Sequence, residues 1–302
     1  MKIYKCKIKI NVLKIIYKYI YYIYLSCFIF LVSIPVSFAG QYTQSRIFCG
    51  DHHPAPTIPK MQPDLNNELG FDEDIAYISD LASYWKYSSL HYYRYTKSGI
   101  YGARVNYANR YSTNAAQYVL EAYPILFRGA YAAINLGYAN STQISFPSFQ
   151  YGIEAYFNVK NGIEYSLGQG EKKFTRFSNQ KIYTYTASIG KYINNYFIWF
   201  RPSYFQPRST YFFEVGLKRE FSDPHAYILF KLATGRLPDI GDFPPFSQMI
   251  VINQQSINID GQIPLKKTLF LKMGLGFAHQ VLHPSQTIRN ITDASLGIVW
   301  IF

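Results

Sequence analysis

From about Glu68 to Phe302 the chain runs in short segments whose hydrophobic and polar positions alternate with period two, separated by Asn, Gly, Ser, Asp and Pro. No stretch there sustains an i, i+3, i+4 apolar stripe over three turns, so the segments read as β-strands with two differently surrounded faces. In one, Tyr101, Ala103, Val105, Tyr107, Asn109 and Tyr111 alternate with Gly102, Arg104, Asn106, Ala108 and Arg110. In another, Tyr151, Ile153, Ala155 and Phe157 oppose Gln150, Gly152, Glu154, Tyr156 and Asn158. Tyr211, Phe213, Val215 and Leu217 oppose Phe212, Glu214, Gly216 and Lys218, and Leu269 to Phe277 repeats the scheme against Phe270, Lys272, Gly274, Gly276 and Ala278.

A soluble sandwich also alternates, so the deciding feature is which face is bulky. Aromatic rows on a dozen strands would overfill a compact core, whereas lipid gives such rings unlimited room. The opposite row, rich in Gly and mixed charge, suits an enclosed interior. The pattern therefore predicts an all-β transmembrane antiparallel β-barrel.

Fourteen candidate strands follow: 68–77, 86–96, 100–110, 116–124, 128–139, 148–158, 162–170, 182–192, 196–205, 210–219, 226–234, 249–263, 267–279 and 292–302. Asp72, Glu73 and Asp74 interrupt the first. Bacterial barrels have even strand numbers, so fourteen is favoured, with twelve if two short segments are not separate. With both ends of the barrel in the periplasm, the longer connections Asn140–Pro147, Glu171–Lys181, Gly235–Gln248 and Gln280–Ile291 fall outside the cell. The tight ones, Thr96–Gly99, Val159–Asn161 and Pro264–Lys266, fall inside, which is the asymmetry outer-membrane barrels display.

Residues 1–39 read as a signal peptide: Lys2, Lys5, Lys7, Lys9, Lys14 and Lys18, an apolar stretch from about Tyr19 to Val36, then Ser37-Phe38-Ala39 before Gly40. An uncleaved inner-membrane anchor is the alternative, though no later apolar run offers a second span. Residues 40–66 form a Pro-rich periplasmic segment and 67–302 the barrel. The six leader lysines account for half of the net charge of +12, which removes most of the support for nucleic-acid binding. The mean hydropathy of -0.09 excludes a bundle of apolar helices. Yet 19% of residues are aromatic, as one-sided strands with interfacial girdles require. Tyr101, Tyr111, Tyr183, Trp199 and Trp300 are expected at the membrane interfaces rather than in a sugar-stacking platform.

Of three cysteines, only Cys49 follows the leader, so no internal disulfide is expected. Cys49, Asp51, His52 and His53 resemble a metal cluster, but they sit among Pro54, Pro56, Pro59 and Pro63 without a rigid scaffold, and no metal or other cofactor is expected.

Alternation places a set of charges on the inward face: Arg104, Arg110, Glu121, Glu154, Glu164, Arg201, Glu214, Lys218, Lys231 and Lys272. Two roles are open. The charges could select or hold a polar solute or glycan, as rings of fixed charge do in pores. They could equally pair across neighbouring strands and brace the barrel.

Five pieces of the chain are distinctive: Gly102-Ala-Arg104-Val-Asn-Tyr-Ala-Asn-Arg110-Tyr111, Gln117-Tyr-Val-Leu-Glu121-Ala-Tyr123-Pro124 and Phe146-Pro147 with Gly152-Ile-Glu154-Ala-Tyr156. Further along come Gly162-Ile-Glu164-Tyr-Ser-Leu-Gly168 and Gly190-Lys-Tyr192-Ile-Asn-Asn-Tyr196, running into Arg201-Pro202. In their order across about 100–205 the chain resembles the YaiO family of outer-membrane β-barrels. The resemblance implies a barrel in the outer membrane of a Gram-negative bacterium and little biochemistry, with polysaccharide export as a family-level suggestion.

Phospholipid and lipopolysaccharide are the implied surroundings. The C-terminal strand, in which Leu296, Ile298, Trp300 and Phe302 share one face, looks like the signal read by the barrel-assembly machinery. A lipid-acting hydrolase is the competing function. It would need a His beside a nucleophile, and of His91, His225, His279 and His283 only His91 and His279 fall in predicted strands, without a matching Ser.

Overall fold

Each alternating segment hydrogen-bonds to the one before it and the one after it, and the last returns to the first. The computed structural model describes residues 67–110, 113–140, 145–175, 180–223, 225–240 and 249–302. Fourteen antiparallel strands form a closed barrel. They are β1 (Asn67–Ile78), β2 (Ser83–Thr96), β3 (Gly99–Arg110), β4 (Thr113–Phe127), β5 (Ala130–Ala139), β6 (Phe149–Val159) and β7 (Ile163–Phe174). The second half comprises β8 (Gln180–Ile193), β9 (Tyr196–Gln206), β10 (Thr210–Glu220), β11 (Tyr227–Ile240), β12 (Met249–Lys266), β13 (Leu269–His283) and β14 (Thr287–Ile301). β1 and β14 close the ring in continuous register from Glu68↔Ile301 to Ile78↔Ile291. Reciprocal backbone bonds between Asn67 and Phe302, of 2.8 and 2.9 Å, extend that seam by one residue. Among the described residues no helix is long and apolar enough to cross a membrane.

Asn67 and Phe302 lie at one rim, called the near rim here, and the strands meet there in short turns. One of these, a single 3-10 turn over Lys160–Gly162, joins β6 to β7. Asn161 and Gly162 both take positive φ there, of 66° and 69°. An Asn-Gly pair tolerates that conformation, which matches the right-handed twist of a hairpin. The widest gaps between strands, 140–148 and 241–248, both open at the far rim.

The outward rows are apolar. Leu275 is 64% exposed, Leu167 63% and Leu120 62%, in places where a soluble fold would have buried them. The twelve residues of β1, at about 3.4 Å each and tilted about 40°, give a height of about 30 Å. That is enough for an apolar band about 25 Å tall.

Several expectations are corrected. The stretch from Glu171 to Lys181 is largely the paired ends of β7 and β8, and Gln280–Ile291 is mostly β13 and β14, joined by the turn Pro284–Gln286. His283 is the last residue of β13 rather than a loop residue. Outward His279 and Asn290 bond each other at 2.9 Å, so the ladder continues above the apolar band where the hydrophobic pattern stops. In β1, Asp72 and Asp74 are buried and only Glu73 is exposed, so the acidic run alternates rather than breaking the strand. Trp199 is 8% exposed and stacks on Phe197 on the inward face, not at a membrane interface. The Cys49–His53 group and Tyr111 lie outside the described residues.

A charge placed in the middle of the apolar band should weaken the barrel most. Leu275→Lys is expected to cost about 2–4 kcal/mol, read from denaturant unfolding in lipid vesicles, whereas the same substitution at rim-proximal Ile288 should cost about 1 kcal/mol or less.

Candidate functional site

Facing pairs in an antiparallel ladder share a side, so the register fixes which residues line the interior. All ten charges assigned to the inward face belong to the rows turned from lipid. Arg104, Arg110, Glu121, Glu154, Glu164, Arg201 and Lys218 are buried, and Glu214, Lys231 and Lys272 half-buried. They do not converge on one ring. The structure distributes them through several clusters at different heights.

Two of the clusters pair members of the set with each other. Arg104 Nη2 contacts both Glu121 oxygens at 3.2 Å and donates to Tyr93 Oη at 2.8 Å, while the Tyr93 hydroxyl donates to Glu121. Arg201 makes a two-pronged bridge to Glu154, Nη1 to Oε1 at 2.9 Å and Nη2 to Oε2 at 2.5 Å. Strands β7 and β8 stand between β9 and β6, so this bridge crosses three strand spacings, about 14 Å of wall. Beneath it Ser166 donates to Glu154 and lies 2.5 Å from Ser188. Gly168 keeps the path open, since a Cβ there would meet Glu154 Cβ at 2.8 Å.

The other members find partners outside the set. Lys272 binds Asp72 at 2.9 Å across β14, over Gly297, where a Cβ would come within 2.2 Å of the carboxylate. Asp72 also faces His91, which lies 3.3 Å from Glu68, and Tyr95 donates to Glu68 at 2.6 Å. Lys218 meets Glu220 at 2.8 Å and Lys231 lies 3.9 Å from Asp260. Glu214 accepts from Trp199 at 3.2 Å, and Glu164 accepts from Tyr131, which stacks on Tyr156. Arg110 lies 3.9 Å over the Trp85 ring, and Arg289, bridged to Asp80, lies 5.8 Å from the same ring. Asp72, Asp260, Glu68, Glu220, Asp80 and Arg289 were not selected from sequence; alternation within the predicted strands marks Glu68, Asp72 and Asp260, whereas the other three lie beyond the predicted strand ends.

A second unselected feature is the inward row of β12: Gln254, Ser256, Asn258, Asp260 and Gln262, all buried. It faces Gly274, Gly276 and Ala278 of β13, which carry almost no bulk. Gln254 Oε1, Asn258 Oδ1 and both amide atoms of Gln280 are buried without bonding another protein group. The signal was present as a polar residue at every second position between Ile257, Ile259 and Ile263. A recess of ≈ 60 Å³ adds a polar corner elsewhere in the wall, with Asn135, Gln150, Glu154, Lys172, Thr184 and Thr186 around it.

The described histidines are engaged elsewhere than with serine hydroxyls. His279 bonds Asn290, His283 bonds Asn253 and Gln286, and His91 faces the two acids. His225 occupies the near-rim turn against the rings of Tyr95 and Phe270. Burial lowers its pKa below the ordinary value, against the opposing pull of Glu68 and Asp223. Among the described residues no group of three or more potential metal ligands occurs.

Two predictions follow from this geometry. Arg201→Met should cost about 3–5 kcal/mol of unfolding free energy by stranding Glu154, and adding Glu154→Gln should recover much of the loss. A depressed His225 pKa means the unfolded chain takes up the proton first. Its contribution should be complete above about pH 6.5 and fall as pH drops below that value. Unfolding midpoints at pH 7.5 and 5.5 should therefore differ less in His225→Gln than in the parent.

Comparison with known proteins extends the family likeness beyond the motifs. The model of the YaiO membrane beta barrel domain matches residues 66–240, more than half of the chain. No curated protein matches in sequence. Among solved structures, the CymD monoaromatic hydrocarbon channel is 8% identical with a TM-score of 0.51, over 89% of this chain and 95% of that one. Omp33 of Acinetobacter baumannii is 13% identical with a TM-score of 0.46, over 79% of this chain and 98% of that one. The first of these is a likeness of fold. With a closed fourteen-stranded barrel and a family match across most of its strands, this chain belongs to the YaiO membrane β-barrel family and resides in the outer membrane.

Proposed function

We propose that the barrel is a non-enzymatic envelope protein whose narrow, charge-lined lumen passes or holds a polar, hydroxyl-rich solute or glycan segment. The observation that carries this reading is the β12 row of amide, hydroxyl and carboxylate groups facing the small side chains of β13. Buried amide atoms require hydrogen-bond partners, and hydroxyl groups with their water supply both donors and acceptors. Fixed charges of both signs around that row would discriminate among solutes by charge.

Bracing is the second reading, favoured by the Arg201–Glu154 bridge over two intervening strands. The two roles are compatible, because the bridge and the β12 row occupy different sectors of the wall. The outward row ending at Trp300 and Phe302 is the surface proposed to meet the assembly machinery before the seam closes.

Planar-bilayer recording tests passage. Purified protein should give small, discrete conductance steps, and Lys231→Met alone, which removes one fixed positive charge, should raise the ratio of cation to anion permeability. A silent parent barrel would remove the passage reading and leave bracing. Release of fatty acid from phospholipid by the purified barrel would instead overturn the non-enzymatic reading.

A further inference from the structure

Basic side chains gather at the near rim. Arg94, Lys191, Arg219 and Lys266 are exposed, and the register puts them on the lipid-facing rows of β2, β8, β10 and β12, among or just beyond the last apolar positions. Lys191, for example, faces Ile163 on one side and Ile198 on the other. Four of the near-rim turns add an exposed cation of their own: Lys97, Arg128, Lys160 and Lys267. The acids of this rim do not offset them. Glu68 and Glu220 turn inward to His91 and Lys218, and Asp223 is half-buried, accepting a bond from the His225 backbone at 2.9 Å. Among the described residues no exposed acidic side chain lies at this rim.

The cations ring the circumference rather than cluster at the mouth. Four of them share their rows with exposed apolar and aromatic residues, including Tyr92 on β2 and Leu217 on β10. A soluble polyanion threading the lumen would be met by cations turned to the interior; the four strand cations instead stand on the lipid-facing rows. Five of the six near-rim turns span only two or three residues, the two widest gaps open at the other rim, and both barrel ends lie here, which identifies this rim with the periplasmic side. We infer that the near-rim cations form a belt that binds the phosphate groups of anionic phospholipids in the inner leaflet of the outer membrane. Exposed Lys and Arg at headgroup depth attract anionic lipid, an effect of about fivefold per charge that salt screens.

The protein carries its own probe. Of its three tryptophans, Trp85 and Trp199 are buried inside, while Trp300 is 47% exposed on the lipid face of β14 near this rim. It lies within two strands of Arg94 on one side and of Lys266 and Lys267 on the other. The full-length protein would be reconstituted in vesicles containing brominated phosphatidylglycerol or brominated phosphatidylcholine, and quenching of Trp300 compared. At low salt the parent should favour the anionic lipid by at least tenfold. The triple variant Arg94→Gln, Lys266→Gln, Lys267→Gln should reduce that preference to about twofold or less, while far-rim Lys173→Gln leaves it unchanged. These side chains are exposed, and retention of the folded band in unheated gel electrophoresis would verify that the variant barrel is intact. Equal quenching by both lipids in the parent, or a preference that survives the triple substitution, would overturn the inference.

Discussion

A backbone amide inside a bilayer has no water to bond, and this constraint governs the whole molecule. Each unpaired N–H or C=O in hydrocarbon costs several kcal/mol, so a sheet that crosses the membrane must have no edge. Here the requirement is met by the seam of β1 on β14, continuous from Glu68↔Ile301 to Ile78↔Ile291 and sealed by Asn67 and Phe302. Closure makes the chain's first and last strands neighbours, and that neighbourhood brings Lys272 of β13 to Asp72 of β1 across 200 residues of sequence.

Closure also splits every strand into a lipid row and an enclosed row, and the two are solved by opposite chemistry. The outer row is stabilised by exposing Leu, Ile, Phe and Tyr to acyl chains. Charges in the inner row are buried among neighbouring side chains and are matched locally, so nearly every inward carboxylate described meets a cation, a hydroxyl or an indole N–H. Glycine is what permits the matching. At Gly297 and Gly168 the absent side chain leaves space through which a longer one reaches a partner beyond the adjacent strand.

Much of this was legible in the sequence, because the period-two signal and the even strand number are dictated by the same closure. Fourteen segments were predicted, fourteen strands are observed, and the ten selected charges are buried or half-buried. Their grouping was not legible. A single strand reveals which side a charge faces, but whether Arg201 meets Glu154 or Glu214 depends on register, curvature and intervening glycines. Strand ends were missed where outward residues turn polar: at His279 and Asn290 hydrogen bonding replaces hydrophobicity as the reason to stay paired. Trp199 was assigned to the interface by residue type, although its own alternation with Ile198 and Phe200 already placed it inside. The β12 row was overlooked because Gln, Ser and Asn draw less notice than charges, while their spacing was as regular as any in the chain.

The interior is therefore not uniform, and the difference follows from side-chain size. In the β6–β9 sector Glu154, Tyr156, Arg201 and Trp199 fill the space and tie four strands together, so motion there would break a charge-assisted bridge. Along β12 and β13 the facing residues are Gly274, Gly276 and Ala278, and the polar groups opposite are held by no such bridge above Asp260. In the proposed reading, stiffness and solute contact reside in different arcs of one ring. A barrel whose lumen must be both stable and wet has reason to separate them, because ion pairs strong enough to brace the wall would compete for the same hydrogen bonds that a passing hydroxyl needs.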